Sequence, residues 1–221
     1  MEFRPLGKTG ETIPEIGLGT SGYRGGVGPL QKGASLGAFI DTAEMYPVNP
    51  VKPETIGRTE RIIGLWLEKS RGHRADVILA TKHSGEGMKA VREGEPISAK
   101  TISETIEGSL RRLKTDYIDL YQFHWPNRGS YHFRQNWTYN PAGIDRNAVL
   151  DDMAECLHAL EAERKRGTIR HFGLSNESAW GLAQWSDAAR RVGAELEPVH
   201  LGQLDAHRVG HPAAHIDGGG L

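Results

Sequence analysis

The sequence predicts an α/β fold built on a parallel sheet, in one domain or at most two. Three observations carry that expectation. Short apolar runs alternate with helical segments of roughly 10–15 residues, the cadence of βα units. Several of those runs turn sharply polar at their last residue or two, as buried parallel strands do where their tips open into a site. With 221 residues and 38% hydrophobic content, the chain is also long enough to bury a core around such a sheet. Parallel strands joined by right-handed crossovers leave two architectures, a barrel of TIM type or an open doubly wound sheet.

The elements follow in order along the chain. MEFRPLGKTGETIPE places Gly7, Gly10 and Pro14 around short polar–apolar alternations, which predicts a small hairpin. EIGLGT is a short strand, followed by the Gly-rich loop SGYRGGVGP, a brief helix over GPLQKGASLG and the strand AFIDTA. In TERIIGLWLEKS, Ile62, Ile63, Trp66 and Leu67 recur at spacings of three and four, an amphipathic helix. VILATK is strand-like. ISAKTISETIEGSLRRLK carries Ile102, Ile106, Leu110 and Leu113 as a helical stripe, with Ser98 or Thr101 as cap. YIDLYQFH is the next strand, and residues 127–147 form a long loop containing Tyr131, His132, Phe133, Trp137 and Tyr139. Such a loop either shapes a substrate pocket or packs on its own side chains as an Ω-loop. The helix LDDMAECLHALEAERKRG, the strand TIRHFGLSN and the helix ESAWGLAQWSDAARRVG come next, with PVHLGQ a sixth strand candidate.

Composition excludes more than it selects. A formal net charge of −1 offers neither the basic footprint of a nucleic-acid binder nor a polybasic membrane signal. No stretch approaches the roughly 18 apolar residues of a membrane span, and MEFRPLGKTG lacks the apolar core of a signal peptide. Cytoplasmic localisation is the expectation. Cys156 has no second cysteine to pair with, which suits a reducing compartment, and its place in a helical pattern predicts a buried structural thiol.

Four residues stand at strand tips: Asp41 and Tyr46 after AFI, Lys82 in LATK and His124 after YQF. Taken singly, each has an ordinary reading, a helix cap, a packed ring or a solvated ammonium. Taken together at matching ends they predict a converging site. Gly17, Gly19 and Gly22 spell G-x-G-x-x-G with Asp41 about 20 residues on, the spacing of a dinucleotide fingerprint. Against it, Tyr23 to Pro29 prolong the loop where a Rossmann turn would enter its helix directly.

GLGT, FIDTAEMYP, LATK, SLRRLKTDYIDLYQFHWP and ALEAERKRGTIRHFGLSN, in this order and spacing, resemble the aldo-keto reductases. The TAEMYP box and the long loop after HWP are most similar to the bacterial Tas-type branch. The resemblance implies a (β/α)8 barrel that reduces aldehyde or ketone carbonyls with NADPH, the cofactor lying across its C-terminal face. It further implies Tyr46 as general acid, Lys82 and Asp41 as the pair that tunes it, and His124 as the residue that orients substrate. Ser175 and Asn176 match the pair that holds the nicotinamide carboxamide, though Ser and Asn there also read as caps of the next helix, Asp41 borders the cofactor, and Gln203 stands for a further carboxamide contact. Read from the residues alone, Trp125 beside His124 either walls the substrate or simply packs. The chemistry is coherent on its own terms. Hydride delivery to a carbonyl carbon creates an oxyanion that needs a proton donor, and an ammonium beside a tyrosine stabilises its phenolate and lowers its pKa.

The resemblance runs from about Phe3 to Pro198. Residues 1–198 therefore form the N-terminal part of such a barrel, with about six of eight strands, and residues 199–221 form an atypical Gly/His-rich tail expected to be disordered. His207, His211 and His215 recur every fourth residue, but Gly210 and Pro212 argue against the helix that would align them on a metal, and no metal site is expected. An abrupt change of composition near Pro198 is what a truncated or frameshifted gene would produce. An unclosed barrel exposes strand edges, so the sequence also predicts self-association over the gap. Three classes follow: a carbonyl reductase acting on a small molecule, an impaired remnant of one, or an auxiliary subunit like those that some relatives supply to potassium channels.

Overall fold

The computed structural model describes residues 2–23, 30, 39–49, 51–69, 74–130, 137–194 and 199–200. A two-stranded antiparallel hairpin opens the chain, β1 (Phe3–Pro5) and β2 (Thr12–Pro14), with Arg4 opposite Ile13. Gly7 and Gly10, both at positive φ, make the reversal that side chains with a Cβ resist. Among the described residues the main sheet has six parallel strands: β3 (Leu18–Gly19), β4 (Phe39–Asp41), β5 (Ile78–His83), β6 (Ile118–Phe123), β7 (Ile169–Leu174) and β8 (Val199–His200).

Sheet order decides between the two architectures. Each strand pairs with its neighbours in sequence, β3-β4-β5-β6-β7-β8, so the winding never reverses. A doubly wound sheet needs a switch point where the order turns back, and its ligand crevice lies there. None exists among the described strands, and the G-x-G-x-x-G stretch has no Rossmann crevice to serve. The sheet is instead an incomplete (β/α)8 barrel, six strands of it. The final strand falls at Val199–His200, within PVHLGQ and just past residue 198.

Helices cover the outer face. α1 (Arg58–Lys69) and α2 (Ala99–Leu113) lie between β4 and β6 in the chain, and α3 (Arg146–Arg166) and α4 (Ala179–Val192) between β6 and β8. Ser98 and Thr101 cap α2 together: the Ser98 hydroxyl accepts from the Thr101 amide while the Thr101 hydroxyl accepts from the Ser98 amide. That reciprocal arrangement satisfies two donors a helix start otherwise leaves open. α3 begins at Arg146, four residues before the expected LDDM start, because the Asp145 carboxylate accepts from the amides of Asn147 and Ala148 and caps a turn that reads as loop.

The core sits between β6, β7 and the inner stripes of α2, α3 and α4, where Ile102, Ile106, Tyr121, Leu157, Leu160 and Phe172 are buried. A second cluster joins Ile40, Ile63, Trp66, Leu67 and Leu79 beneath α1. Cys156 is buried in the first cluster with a free thiol, and burial pushes its pKa well up. Of the expected first helix only Leu30 is described, and it is helical. Gln203 and the histidines of the tail lie outside the described residues, as do residues 131–136 of the loop after HWP. Trp137, in the described part of that loop, is 91% exposed.

Candidate active site

The chain builds the site by carrying strand pairing a little past each strand end. The amides of Thr42 and Glu44 donate to the carbonyls of Ala80 and Lys82, so the segment after β4 runs on beside β5. The His124 amide donates to the His83 carbonyl, and the Ser175 amide to the Phe123 carbonyl. Asp41, Lys82, His124 and Ser175 consequently lie along one edge of the sheet, at its C-terminal end.

Asp41, Tyr46, Lys82 and His124 come together there. The Lys82 ammonium donates to Asp41 Oδ2 at 2.5 Å and to the Thr42 carbonyl at 2.9 Å. Its Nζ stands 5.3 Å from the centre of the Tyr46 ring. The His124 ring meets the Tyr46 ring edge-on, with centroids 5.7 Å apart. Tyr46, Lys82 and His124 are all buried, while Asp41 keeps partial contact with solvent. A further contact of the group has no mark in the sequence: Gln122 on β6 donates from Nε2 to the other Asp41 oxygen, Oδ1, at 3.2 Å.

Burial sets the charge states. The Tyr46 hydroxyl is pushed up to about 12, first by desolvation and then by the Asp41 carboxylate. This corrects the expectation that Lys82 lowers it. The reason is geometric: the ammonium is engaged by Asp41 and the Thr42 carbonyl and stands 5.3 Å from the ring centre, so burial and the Asp41 charge prevail over it. Lys82 itself is lowered by burial, with the Asp41 charge and hydrogen bond acting in opposition. His124 is held well below its ordinary value by burial and by the Lys82 charge, and so is a neutral imidazole at pH 7.

The surrounding residues pin these tips. Trp125 stacks beside His124 with centroids 5.0 Å apart, and its indole N–H donates to the Glu86 carbonyl at 3.1 Å. It packs with Ala43, Met45, Tyr46 and Val91, so it ties the loop after β4 to the loop after β5. Glu44 accepts from the Ser84 amide at 2.7 Å and pairs with Arg92, which also donates to the Ser84 carbonyl. Arg128 and Glu177 form a buried ion pair across the loops after β6 and β7. Neither ion pair was apparent in the sequence, since Glu44 and Arg92 stand 48 positions apart and Arg128 and Glu177 stand 49.

Ser175 and Asn176 follow β7, with Asn176 in the left-handed region at φ 52°. Both hydrogens of the Asn176 amide are used inside the protein, one on the His124 carbonyl at 2.9 Å and one on Ser175 Oγ at 3.0 Å. That leaves the Asn176 oxygen as an acceptor and the Ser175 hydroxyl hydrogen as a donor. A carboxamide needs one of each, and the pair fits it. Beside them a cavity of about 40 Å³ is lined by Phe123, Trp125, Asn127, Leu174, Ser175 and Trp185, with room for a few waters. Among the described residues no group of three or more His, Cys, Asp or Glu is arranged to hold a metal ion, and no helix is long and apolar enough to cross a membrane.

Comparison with known proteins bears on this arrangement. The sequence profile of the Aldo/keto reductase family matches residues 30–197. The chain belongs to the aldo/keto reductase family. Protein tas of Escherichia coli (strain K12) is 41% identical over 153 residues, covering 66% of this chain and 42% of that protein, which agrees with the Tas-type branch. An aryl-alcohol dehydrogenase [NADP(+)] of Phanerodontia chrysosporium is 27% identical over 206 residues, covering 85% of this chain and 46% of that one. Among solved structures, the thermostable aldo-keto reductase Tm1743, in complex with the inhibitor epalrestat, superimposes with a TM-score of 0.59 at 26% identity, covering 90% of this chain and 61% of that chain. This aldo/keto reductase thus spans less than half the length of these two curated relatives.

Proposed function

We propose that this aldo/keto reductase reduces aldehyde or ketone carbonyls to alcohols with NADPH, Tyr46 serving as proton donor. The observation that carries the proposal is the meeting of Tyr46, Lys82, Asp41 and His124 at the C-terminal edge of one parallel sheet. The nicotinamide cofactor supplies the hydride, and its carboxamide fits the acceptor and donor that Asn176 and Ser175 leave open.

Each residue of the chain then has a task. His124, neutral and buried, carries one ring N–H with which to orient a carbonyl oxygen beside Tyr46. Tyr46 holds its proton throughout the neutral range because its pKa lies at about 12. It still gives that proton readily to an alkoxide, a far stronger base than a phenolate. The phenolate left behind lies near the Lys82 ammonium, which stabilises it once formed. Asp41 keeps Lys82 charged and in place against the desolvation that favours its neutral form.

Titration of the purified protein with NADPH, followed by fluorescence quenching, and an assay on an aromatic aldehyde test the reading. Micromolar binding with turnover is expected. Tyr46→Phe should lose turnover by at least about a hundredfold, the lower end of what a positioned acid contributes, while keeping cofactor affinity. An unbound cofactor at millimolar concentration, or full turnover in the variant, would reject it.

A further inference from the structure

Gln122 is a buried primary amide in the wall of the barrel. It lies on β6, two residues before His124, and is 1% exposed. In the sheet register it sits opposite Lys82 on β5 and opposite Gly173 on β7. A buried primary amide costs free energy unless its hydrogens find acceptors. Here Nε2 donates to Asp41 Oδ1 at 3.2 Å, while Lys82 Nζ donates to Asp41 Oδ2 at 2.5 Å. The carboxylate is therefore held by one donor on each oxygen, from two neighbouring strands.

Two-point attachment matters because one hydrogen bond alone leaves a carboxylate free to rotate about its terminal torsion, which is broad and shallow. Asp41 retains partial solvent contact and stands at the last residue of β4, so the strand does not fix it. The charged groups that face Gln122 are Asp41 from β4 and Lys82 from β5; Gly173, its register partner on β7, brings no side chain. We propose that Gln122 is a positioning residue, whose amide fixes the plane of the Asp41 carboxylate and through it holds the Lys82 ammonium against Tyr46. This rests on the carbonyl-reductase reading for its consequence in turnover, though not for its consequence at Lys82.

Gln122→Met keeps the length of the side chain and removes the donor. With Asp41 unlatched, kcat should fall about ten- to a hundredfold, the size of effect that misplacement by an ångström produces, with KM and NADPH affinity within about twofold of the parent. Gln122→Glu discriminates positioning from packing. Its protonated carboxyl can donate to Asp41 as the amide does, whereas its ionised form repels Asp41. Its turnover should approach that of the parent on the acid side and collapse as the pH rises, a limb the parent lacks. The Lys82 ammonium, observed by nitrogen-15 NMR of lysine-labelled protein and assigned with Lys82→Met, gives a readout without substrate or cofactor. Its titration midpoint should move to lower pH in Gln122→Met. Parent-like kcat together with an unmoved Lys82 midpoint in Gln122→Met overturns the proposal, as does a Gln122→Glu profile parallel to the parent's. Should the parent itself show no turnover, the functional reading fails, and the Lys82 midpoint alone decides the role of Gln122.

Discussion

Mild acid should destabilise this protein through two buried histidines well before its carboxylates titrate. His83 is completely buried at the end of β5, its Nδ1 3.0 Å from the Tyr121 hydroxyl and its ring edge-on to Phe123. Burial, and then the nearby Arg92 charge, hold its pKa well below the ordinary value of 6.5. His124 is held well below 6.5 by burial and by Lys82. In both cases the fold excludes the proton that the unfolded chain accepts. The folded pKa is lower than the unfolded one, so stability is undiminished above about pH 7 and is lost as pH falls through the unfolded value. Between pH 7.5 and 5.5 each imidazole that stays neutral in the fold costs between about 1 and 2 kcal/mol, about 3 kcal/mol for the pair. Exposed carboxylates, with ordinary pKa values near 4, contribute little in that window. Urea unfolding at half-unit pH steps measures the slope directly. His83→Gln should remove about half of it, whatever the variant does to stability at pH 7.5. A parent protein equally stable at pH 7.5 and 5.5 would refute the reasoning, and so would a His83→Gln variant that keeps the whole slope.

Two further outcomes follow from packing and charge. A Cβ added at Gly64 would lie 2.2 Å from the Arg112 carbonyl oxygen, so α1 and α2 touch backbone to backbone there. Gly64→Ala should cost about 1–3 kcal/mol or more in thermal unfolding, despite the better helix propensity of alanine. Asp119 on β6 is 1% exposed and binds Arg74 at 2.7 Å, Arg170 at 2.9 Å and the Leu79 amide at 2.9 Å. Asp119→Ala leaves the Leu79 amide without its acceptor and the largely buried Arg74 guanidinium without its carboxylate counter-charge, and should destabilise by about 3–5 kcal/mol in chemical denaturation.

The tips of β4, β5, β6 and β7 were legible in the sequence because a buried parallel strand leaves a local mark, an apolar run ending in a polar residue. FIDTAEMY, ATK and QFHW each show it within a few positions. The side chains that hold those tips leave no such mark. Glu44 pairs with Arg92, Glu60 with Arg112 and Arg128 with Glu177 over separations of 48, 52 and 49 residues. A charged residue next to a strand reads as solvated surface until the fold supplies its partner. The start of α3 escaped for a smaller reason: Asp145 caps it, yet the Pro and Gly just upstream predict loop, and the cap wins.

Tyr46 departs from expectation although Asp41, Lys82 and Tyr46 all stand out in the sequence. An ammonium near a phenol lowers the phenol's pKa on balance only where its attraction exceeds the cost of burial and the repulsion of nearby carboxylates. Here Asp41 and the Thr42 carbonyl take two of the Lys82 hydrogens, and Tyr46 is buried among Ala43, Met45, Val91 and Trp125. Depth of burial is a tertiary quantity that no spacing of residues reveals. A resting Tyr46 held at about 12 is nevertheless what a proton donor paired with an alkoxide requires. It does not lose its proton at neutral pH, and the pull of Lys82 on the phenolate is outweighed in the resting equilibrium by burial and Asp41. Asp41 therefore acts in two directions, raising the phenol in the resting site and keeping charged the ammonium that receives the phenolate. How it does both depends on where its two oxygens point, and these are set by Lys82 on β5 and Gln122 on β6, neighbours that only the sequential order of the sheet brings side by side.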